Sequence, residues 1–432
     1  MSNWQEAILS EHIGLRHGFQ FRETDFTENG IQVIKIGNVT SDGLSLDANV
    51  SYVSNLRVNE FESIIIKDGD ILMSLTGNIG RVVEVNNLGN KILFQNYRVG
   101  VFYPFKENIF KPFIKWILSS EEILRQLNSN SNQSAQANFG KQDLDKLKFK
   151  IPSITEQKKI SKILTITEGV IKKTQAAIAK YKAIKQGMLN DLFTRGIDIK
   201  TGKLRPKQED APDLYKESEL GWIPKEWDDG KFIDFADKNI HHSFTGGPFG
   251  SDLQTKHYTS TGVRIIQLQN IGDGIFNDDY KIYTSEERAN YLINCNIYHG
   301  EIIISKMADP IARACIIPKT EKRYLMASDG IRLSIDKKKF NSRFVMETIN
   351  HKRFRNIAEL KATGSTRARI GLTELREIVV AYPEKLEQDS IGSRLDTIEN
   401  KLQTEHDYLL KLQQIKTGLM ADLLSGNKIV TA

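Results

Sequence analysis

A long stretch of this chain occurs twice without a gap. Residues 140–192 align with residues 371–423 at a constant shift of 231 positions, so that Gln157 matches Gln388. An internal repeat is interpreted first because it determines the architecture of the whole chain. Two copies are too few for a solenoid, in which several stacked units bury a common core. The repeat therefore predicts two large units with pseudo-two-fold symmetry, and such a chain can bind a target that itself has two parts.

Residues 155–193 and 386–424, which include most of the repeat, each have the pattern of one long amphipathic helix. Apolar side chains recur there at steps of three, four and seven residues, and neither segment contains proline. The two stripes comprise Ile160, Leu164, Ile171, Ile178, Tyr181 and Leu192 in the first segment, and Ile391, Leu395, Leu402, Leu409 and Leu423 in the second. A lone helix of this length would expose its stripe to water. We therefore predict that the two helices pair with each other in a coiled coil.

The two predicted helices differ in charge. Residues 155–193 carry eight lysines against three acidic side chains, whereas residues 386–424 carry four basic side chains against seven acidic ones. Surfaces of opposite charge can lie side by side without repulsion, which would favour the pairing. The alternative is that both are independent, solvated helix faces, and the charges alone do not decide between the two.

The segment in front of each long helix has a mixed α+β pattern. Strands are predicted at 31–39, 70–75, 80–85 and 97–102, with a helix at about 109–127, and again at 263–271, 300–305, 312–317 and 331–335, with a helix at about 342–360. We therefore predict six segments: a first globular domain at 1–152, a long helix at 153–196, a linker at 197–217, a second globular domain at 218–383, a long helix at 384–425 and a tail at 426–432.

The composition places few constraints on location or cofactors. Hydrophobic residues make up 40% of the chain and charged residues 26%, as in ordinary globular proteins. No apolar run is long enough to span a membrane, and the N-terminal residues lack a secretory signal pattern, so we expect a cytoplasmic protein. Cys295 and Cys315 have no metal-like spacing and are predicted to be reduced core thiols.

The sequence lacks clear motifs for nucleotide binding, adenine methylation or nuclease activity. It contains no Gly-Lys-Ser/Thr nucleotide-binding loop and no Asn-Pro-Pro-Tyr adenine-methylation motif. The acidic–x–lysine spacings at 198–200 and 336–338 could belong to a nuclease, but neither follows an acidic partner on a strand, so a solvated charged turn is the better interpretation. We therefore predict no catalytic residue and no metal or cofactor site in this chain.

Four motifs together resemble the specificity subunits of type I restriction–modification systems. They are residues 219–227, with the run Glu-Leu-Gly-Trp-Ile-Pro; residues 246–251, Gly-Gly-Pro-Phe-Gly-Ser; residues 364–375 and the proline that ends that region at 383; and the repeated helix end at 185–193. Each motif alone is loose, but their order, duplication and spacing are fairly specific. The first half departs from the pattern, because it lacks the Leu-Gly-x-Ile-Pro opening and has Gly14–Phe19 in place of the Pro-Phe-Gly-Ser loop.

The resemblance implies an α+β chain with two target recognition domains, each reading one half of a split site in double-stranded DNA. The two long helices would pair antiparallel, act as a spacer and receive modification (adenine methyltransferase) subunits, of which we expect two. Restriction (endonuclease and translocase) subunits would complete the complex. S-adenosylmethionine, ATP and Mg would then be bound by partner subunits rather than by this chain, and no membrane would be involved.

The polar loops that precede the long helices are the first candidates for DNA contacts. They contain Ser134, Gln136 and Asn138 in the first copy, and Arg367 and Arg369 in the second. Asn and Gln can bind adenine edges with two hydrogen bonds, and Arg can bind guanine edges in the same way. Both loops could equally be ordinary flexible connections.

Further candidates lie in the two globular domains. They are Asn78, Arg81, Arg98 and Lys141 in the first domain, and Phe249, Ser251, Lys256, Tyr258, Lys306 and Arg313 in the second. Duplex DNA requires cations that neutralise phosphates, although any single one of these is more often a solvated surface residue. The aromatic residues are as compatible with the core as with a contact.

The favoured hypothesis from sequence is a DNA-recognition subunit without catalysis of its own. One alternative is a stand-alone nuclease or methyltransferase, which the missing motifs disfavour. Another is a coiled-coil adaptor that does not contact DNA, which a binding experiment with duplex DNA would distinguish.

Overall fold

A computed structural model describes residues 4–41, 43–47, 49–131, 139–307, 310–364, 368–426 and 428. The chain forms two compact units. Unit 1 consists of Met1–Ala177 together with Glu405–Ala432, and unit 2 consists of Ile178–Thr404. Each unit therefore contains the beginning of one long helix and the end of the other.

Unit 1 is built around two small sheets. The first has four antiparallel strands, in the order Val82–Glu84, Ile71–Ser74, Val99–Pro104 and Ile13–His17. The second has five strands, in the order Phe26–Thr27, Tyr52–Val53, Ile31–Ile34, Leu93–Gln95 and Ile65–Ile66. Two strand pairs complete it, Gln5–Ile8 with Lys148–Ile151 and Val39–Thr40 with Gly43–Leu44.

Unit 2 has the same two sheets in the same strand order. The four-stranded sheet comprises Ala314–Ile316, Ile302–Ser305, Gly330–Leu333 and Phe244–Gly246. The five-stranded sheet comprises Tyr258–Thr259, Ile282–Thr284, Val263–Ile266, Tyr324–Met326 and Asn296–Ile297. The strands Asp228–Lys231 and Val379–Tyr382 pair with each other. The repeat predicted from the helices thus extends through both globular domains.

The helices at about 109–127 and 342–360 are each broken into two. The helices of unit 1 are Lys111–Leu118, Glu121–Ser131 and the short Lys141–Leu144. Those of unit 2 are Glu286–Tyr291, Ser342–Asn350, Lys352–Lys361 and Leu372–Arg376. Side chains at the two breaks start a new helix, because the Ser120 hydroxyl accepts a hydrogen bond from the Ile123 amide and the His351 ring accepts one from the Arg353 amide, both at 3.3 Å.

The predicted strands at 31–39 and 263–271 are shorter than the sequence suggested. They end at Ile34 and Ile266, and a 3-10 turn follows each. A buried asparagine causes this in both units. Asn38 accepts a hydrogen bond from the Lys35 amide at 2.8 Å, and Asn270 accepts one from the Gln267 amide at 3.0 Å. The asparagine side chain thus takes the place of a strand partner.

The two long helices span Ile154–Thr194 and Lys385–Leu424, within two residues of the predicted bounds. No helix in the described part of the chain combines the length and apolarity needed to cross a membrane. Inside each unit the two helix segments run antiparallel. In unit 1, Lys416 pairs with Glu168, and Lys150 reaches the Ser425 carbonyl at 3.2 Å.

In unit 2 the same antiparallel pairing is made by the other helix ends. Lys185 pairs with Glu399 at 2.5 Å, and the Lys401 ammonium lies 5.7 Å from the centre of the Tyr181 ring. Nine positions of the predicted stripes are buried, namely Ile160, Leu164, Ile171, Ile178, Leu192, Ile391, Leu395, Leu402 and Leu423. Tyr181 and Leu409 are partly buried.

The helix ends are part of the cores rather than appendages. Leu423 belongs to the hydrophobic core of unit 1, together with Ile160 and Leu164. Leu192 and Phe193 belong to the core of unit 2, where the Phe193 ring stacks on Phe344 at 5.2 Å. Most lysines of the first helix are exposed, so only a minority of its charges takes part in pairing.

The segment predicted to be a linker, 197–217, is instead a structured part of unit 2. Ile197 is fully buried, and the strands Ile197–Asp198 and Lys203–Leu204 form a hairpin. Arg205 is 6% exposed and donates two hydrogen bonds to Glu387, at 2.6 and 2.8 Å. Polar composition was misleading here because a charged residue becomes buried when a partner of opposite charge satisfies it.

Glu387, in the first turn of the second long helix, accepts hydrogen bonds from several residues of unit 2. Besides Arg205, it accepts hydrogen bonds from the Ile197 amide at 2.7 Å and the Trp227 indole at 3.1 Å. The matching residue of the first helix, Glu156, accepts a hydrogen bond from the Trp4 indole at 3.2 Å. A tryptophan–glutamate contact thus joins each helix start to its unit.

A glutamine clamps the first turn of each long helix to the domain in front of it. Gln157 is fully buried, accepts a hydrogen bond from the Phe110 amide at 2.8 Å and donates to the carbonyls of Asn108 and Pro152. In unit 2, Gln388 has the equivalent set of partners in the amide of Asn341 and the carbonyls of Lys339 and Pro383.

Ion pairs link each domain to both long helices. In unit 1, Glu168 of the first helix pairs with Lys416 of the second at 3.2 Å and with Lys115 of a domain helix. Burial acts to raise the pKa of Glu168, but Lys115 and then Lys416 offset this effect and hold the pKa below its ordinary value. In unit 2, Glu399 takes the place of Glu168, and Lys185 and Arg343 are its partners.

Replacing Gln388 by Leu should destabilise unit 2 by about 2–5 kcal/mol, because it leaves one amide and two carbonyls without their partner. Chemical denaturation followed by tryptophan fluorescence would measure the loss. Gln414→Leu, at an exposed position of the same helix, is the control and should change stability by less than about 0.5 kcal/mol. Equal stability of the two variants would contradict the clamp.

Replacing Glu168 by Gln should cost about 2–4 kcal/mol at pH 7, since two lysines lose a shared, largely buried partner. Because the folded pKa of Glu168 is depressed, its contribution is present above the ordinary value of 4.5 and is lost as the pH falls through the folded value. The stability difference between wild type and variant should therefore shrink below about pH 4.5. Glu107→Gln, at an exposed site, is the control and should have the same stability as wild type across this pH range. If the stability difference between wild type and Glu168→Gln does not change with pH, the ion pairs are not its source.

Candidate DNA interface

Three loops meet at one side of the four-stranded sheet in unit 1. Backbone hydrogen bonds join them at Leu75, whose amide donates to the Arg98 carbonyl at 2.9 Å and whose carbonyl accepts from the Phe139 amide at 2.8 Å. The first loop continues through a turn in which the Ser74 hydroxyl donates to the Asn78 carbonyl and accepts from the Arg81 amide. Asn78, Arg81 and Arg98 therefore lie on adjoining loops, and all three are exposed.

Unit 2 joins the equivalent loops at Lys306. Its amide donates to the Asp329 carbonyl at 2.8 Å, and its carbonyl accepts from the Ile370 amide at 2.9 Å. Ser305 accepts a hydrogen bond from the Arg313 amide, as Ser74 does from Arg81. Lys306 and Arg313 are thus brought onto one surface with Arg369, which is more than 50 positions away in sequence.

The glycine-rich loop at 246–251 borders this surface. The Gly247 amide donates to the Gly330 carbonyl at 2.8 Å, and a β-carbon at Gly247 would lie 1.8 Å from the Ala327 carbonyl oxygen. Only glycine permits so close an approach of the two backbones. In unit 1, Gly18 has the same relation to the Gln95 carbonyl. The loop that differs in sequence between the halves therefore occupies the same place in both.

The sequence candidates of unit 2 differ in exposure. Phe249 is 83% exposed, and Ser251, Lys256 and Arg369 are exposed as well. Three candidates are partly buried and have partners within the protein. Tyr258 accepts a hydrogen bond from Gln267 at 3.1 Å, Lys306 donates to the Ser328 carbonyl at 2.9 Å, and Arg313 reaches the Leu268 carbonyl at 3.5 Å.

Several predicted positions in the polar loops lie outside the described residues. They are Ser134, Gln136 and Asn138 in unit 1 and Arg367 in unit 2. Lys141 is exposed on the short helix that follows the first of these loops. Partial burial and then the positive charge of Lys141 lower the pKa of His17, against a hydrogen bond with the Tyr97 backbone. Lys141 therefore lies near His17.

Tyr97 and Phe19 are surface residues of unit 1 that sequence reasoning missed. The Tyr97 hydroxyl accepts a hydrogen bond from Arg98 at 2.7 Å, and its backbone amide donates to the Phe19 carbonyl. Phe19 is 41% exposed and lies 4.8 Å from the Phe61 ring, over which the Arg57 guanidinium stacks. Phe61 is buried and Arg57 is held by Asp25 and Glu60, so the exposed groups of this region are Phe19 and Arg98. An exposed ring and an exposed cation suit contacts with bases and phosphates.

Gln267 and Asp329 are the corresponding missed residues of unit 2. Together with Tyr258 and Pro248 they line one surface depression beside the glycine-rich loop. Asp329 also pairs with Arg369 at 2.8 Å. Gln267 lay inside the predicted strand 263–271, whereas the structure places it between the strand Val263–Ile266 and the turn Leu268–Asn270. Nothing in the sequence indicated Asp329.

A family model described as the type I restriction modification DNA specificity domain matches residues 1–180 and 266–414. The type I restriction enzyme MjaVIII specificity subunit of Methanocaldococcus jannaschii is 27% identical over 203 residues, which cover 46% of this chain and 47% of that protein. This alignment therefore spans about half of that relative's length. The putative MjaX specificity subunit of the same organism is 21% identical and is aligned over 98% of this chain and 93% of its own length.

The solved S subunit of a type I restriction–modification system from M. genitalium has a similar fold. The comparison gives a TM-score of 0.57 with 14% identity, and it covers 99% of this chain and 97% of that structure. At this identity the likeness concerns the fold alone. It extends over both units and both long helices.

Replacing Lys256 by Gln should weaken binding to duplex DNA of any sequence and reduce the slope of log affinity against log salt by about 0.9, as expected for one lost phosphate contact. Titrations of labelled duplex at several salt concentrations would measure both effects. Lys322→Gln, at an exposed site beyond the other end of the strand Tyr324–Met326, is the control. Equal effects of the two changes would exclude the loop surface as the contact region.

Proposed function

Because the chain belongs to the family of type I restriction modification DNA specificity domains, we propose that it recognises a bipartite site in double-stranded DNA, with one half-site bound by each unit. The observation that carries this proposal is the repetition of one loop surface in two units of the same strand order. Different side chains occupy equivalent places, such as Arg98 in unit 1 and Asp329 in unit 2. Two units with the same backbone arrangement but different side chains on the loop surface suit a target with two different halves.

Each unit would combine two kinds of contact. Exposed cations such as Arg81 and Lys256 would neutralise phosphates and fix the position of the duplex. Side chains held in place by the loop backbone would read base edges in a groove. The loops are joined to one another by backbone hydrogen bonds, which reduces the entropy lost when they bind.

The partners follow from family membership and are part of the proposal. Modification subunits, two in number, would bind this chain, and restriction subunits would join the complex. The exposed lysines of the first long helix offer them a charged surface outside the antiparallel pairing, for example Lys158, Lys162 and Lys172 in unit 1. S-adenosylmethionine, ATP and Mg would be held by those partners, and this chain would contribute no catalytic residue.

A selection from random duplex DNA with the full-length chain tests the proposal. We expect two short sequence motifs separated by unread base pairs at one fixed distance. Exchange of residues 215–383 for the matching segment of a relative should change one motif and leave the other unaltered. These boundaries retain both Arg205 and Glu387, so the contact that begins the second helix stays with its own chain.

The reciprocal exchange of residues 1–150 is the matched control and should change the other motif. A change in both motifs after a single exchange would contradict independent reading by the two units. Absence of any DNA binding would favour a coiled-coil adaptor. Methyl transfer or cleavage by the purified chain alone would favour the enzyme alternative.

A further inference from the structure

Arg369 and Asp329 form an ion pair on the loop surface of unit 2. The Arg369 Nη2 atom lies 2.8 Å from Asp329 Oδ1, and the two side chains remain 55% and 24% exposed. Arg369 also approaches the Met307 sulfur at 3.8 Å. The pair is therefore accessible to a ligand, but Nη2 makes both contacts and belongs to each two-donor edge of the guanidinium. A bidentate contact with a base therefore requires Nη2 to exchange the weak Met307 contact for a base acceptor, with Nη1 or Nε as the second donor.

The backbone on both sides of the pair is fixed. Arg369 exchanges two hydrogen bonds with Thr363, each 2.9 Å long, and the next residue, Ile370, is fully buried. The Asp329 carbonyl accepts from the Lys306 amide, and the Lys306 ammonium is held by the neighbouring Ser328 carbonyl at 2.9 Å. The guanidinium is consequently presented from a rigid base, which is what hydrogen bonding in a defined geometry requires.

The charges of the pair argue against a phosphate contact. An arginine that binds phosphate gains most of its energy from positive charge, and the carboxylate of Asp329 offsets the charge of Arg369 itself and repels phosphate. The neighbouring Lys306 ammonium, bound to the Ser328 carbonyl, is the better placed cation for a phosphate. The edge of a guanine base is neutral and presents two acceptors, O6 and N7, to a guanidinium fork. The paired cytosine presents an N4 amino donor, which a carboxylate can accept.

We propose that Arg369 reads a guanine in the half-site bound by unit 2, and that Asp329 is the positioning residue that orients its guanidinium. The inference rests on the proposed function of the chain. It assigns one G·C base pair of the target to one residue. In unit 1, the backbone position of Asp329 is taken by Arg98, so the two half-sites are read by different chemistry at this place.

Two variants with a matched control test the assignment on full-length protein. Arg369→Lys keeps the positive charge but removes the planar fork. Asp329→Asn keeps the shape of the side chain but removes its charge. The control is Arg355→Lys, which alters a second arginine–aspartate pair of unit 2, formed with Asp273 at 2.7 and 3.0 Å by a residue of the helix Lys352–Lys361. Each protein is used to select sites from the same random duplex library, and affinities for the selected site and its single-base variants are then measured.

We expect Arg369→Lys to lower the preference for one G·C pair, in one motif only, by about 5- to 150-fold, which corresponds to one lost bidentate contact. Binding to non-specific duplex and its salt dependence should stay as in wild type. Asp329→Asn should relax the same base pair to a smaller extent, whereas Arg355→Lys should leave the motif unchanged.

Other outcomes overturn the inference in distinguishable ways. Arg369→Lys with unaltered base preference would exclude guanine reading, and a uniform loss over all sequences would assign a phosphate contact instead. Relaxation of a different base pair by Asp329→Asn would exclude its orienting role. If wild-type protein selects no motif, the proposed function fails and this inference fails with it.

Discussion

Two helices of about 40 residues, each with an apolar stripe along its length, must bury those stripes, and the rest of the structure depends on this requirement. Neither helix does so within one domain. Each begins against its own domain and ends in the core of the other unit, where Leu192 and Leu423 are buried. The apolar surface removed from water at these ends, at about 25 cal/mol per Å², is the main free-energy gain that makes so long a helix stable.

The polar contacts at the helix starts fix the position of each helix along the apolar surface that it buries. Gln157 and Gln388 each join a domain amide and two carbonyls to the first helical turn, and Glu168 and Glu399 connect the domain to the partner helix. Apolar contacts alone would allow a helix to slide by a turn, whereas hydrogen bonds and ion pairs of fixed geometry do not. The loops that carry the candidate DNA contacts are therefore held in one orientation relative to the helix start in their own unit.

The helices and the division into two α+β units could be predicted from the sequence, because periodic apolar residues report directly on burial. The repeat of the domains could be traced in sequence only in part. The segments 69–74 and 300–305 match in sequence at a shift of 231, but the shift is 232 at Asn38 and Asn270, so no constant offset aligns the two domains. Backbone hydrogen bonds define the equivalence, and they are not visible in residue types.

The incorrect linker and the missed surface residues have a common physical cause. Arg205 looks like a solvated side chain until Glu387, far away in sequence, satisfies its charge in the core. Asp329 is likewise an ordinary loop acid until folding places Arg369 beside it. Composition describes a residue alone, whereas burial of charge is a property of a pair that only the fold brings together. Arg98 and Asp329 occupy equivalent backbone positions in the two units. Side chains of opposite charge can therefore occur at this position while the strand arrangement stays the same.

The contribution of the second helix to unit 1 also determines the order in which the chain can fold as it is synthesised. Unit 2 is one continuous stretch, Ile178–Thr404, whereas unit 1 is incomplete until residues beyond Glu405 have been made. At about 5–20 residues per second, the roughly 230 residues in between take about 10–45 s. During that time Ile160 and Leu164 lack the contacts of Leu423, so the N-terminal unit is the last to close its core. The nascent first half therefore depends on protection from aggregation for longer than the second, although it leaves the ribosome earlier.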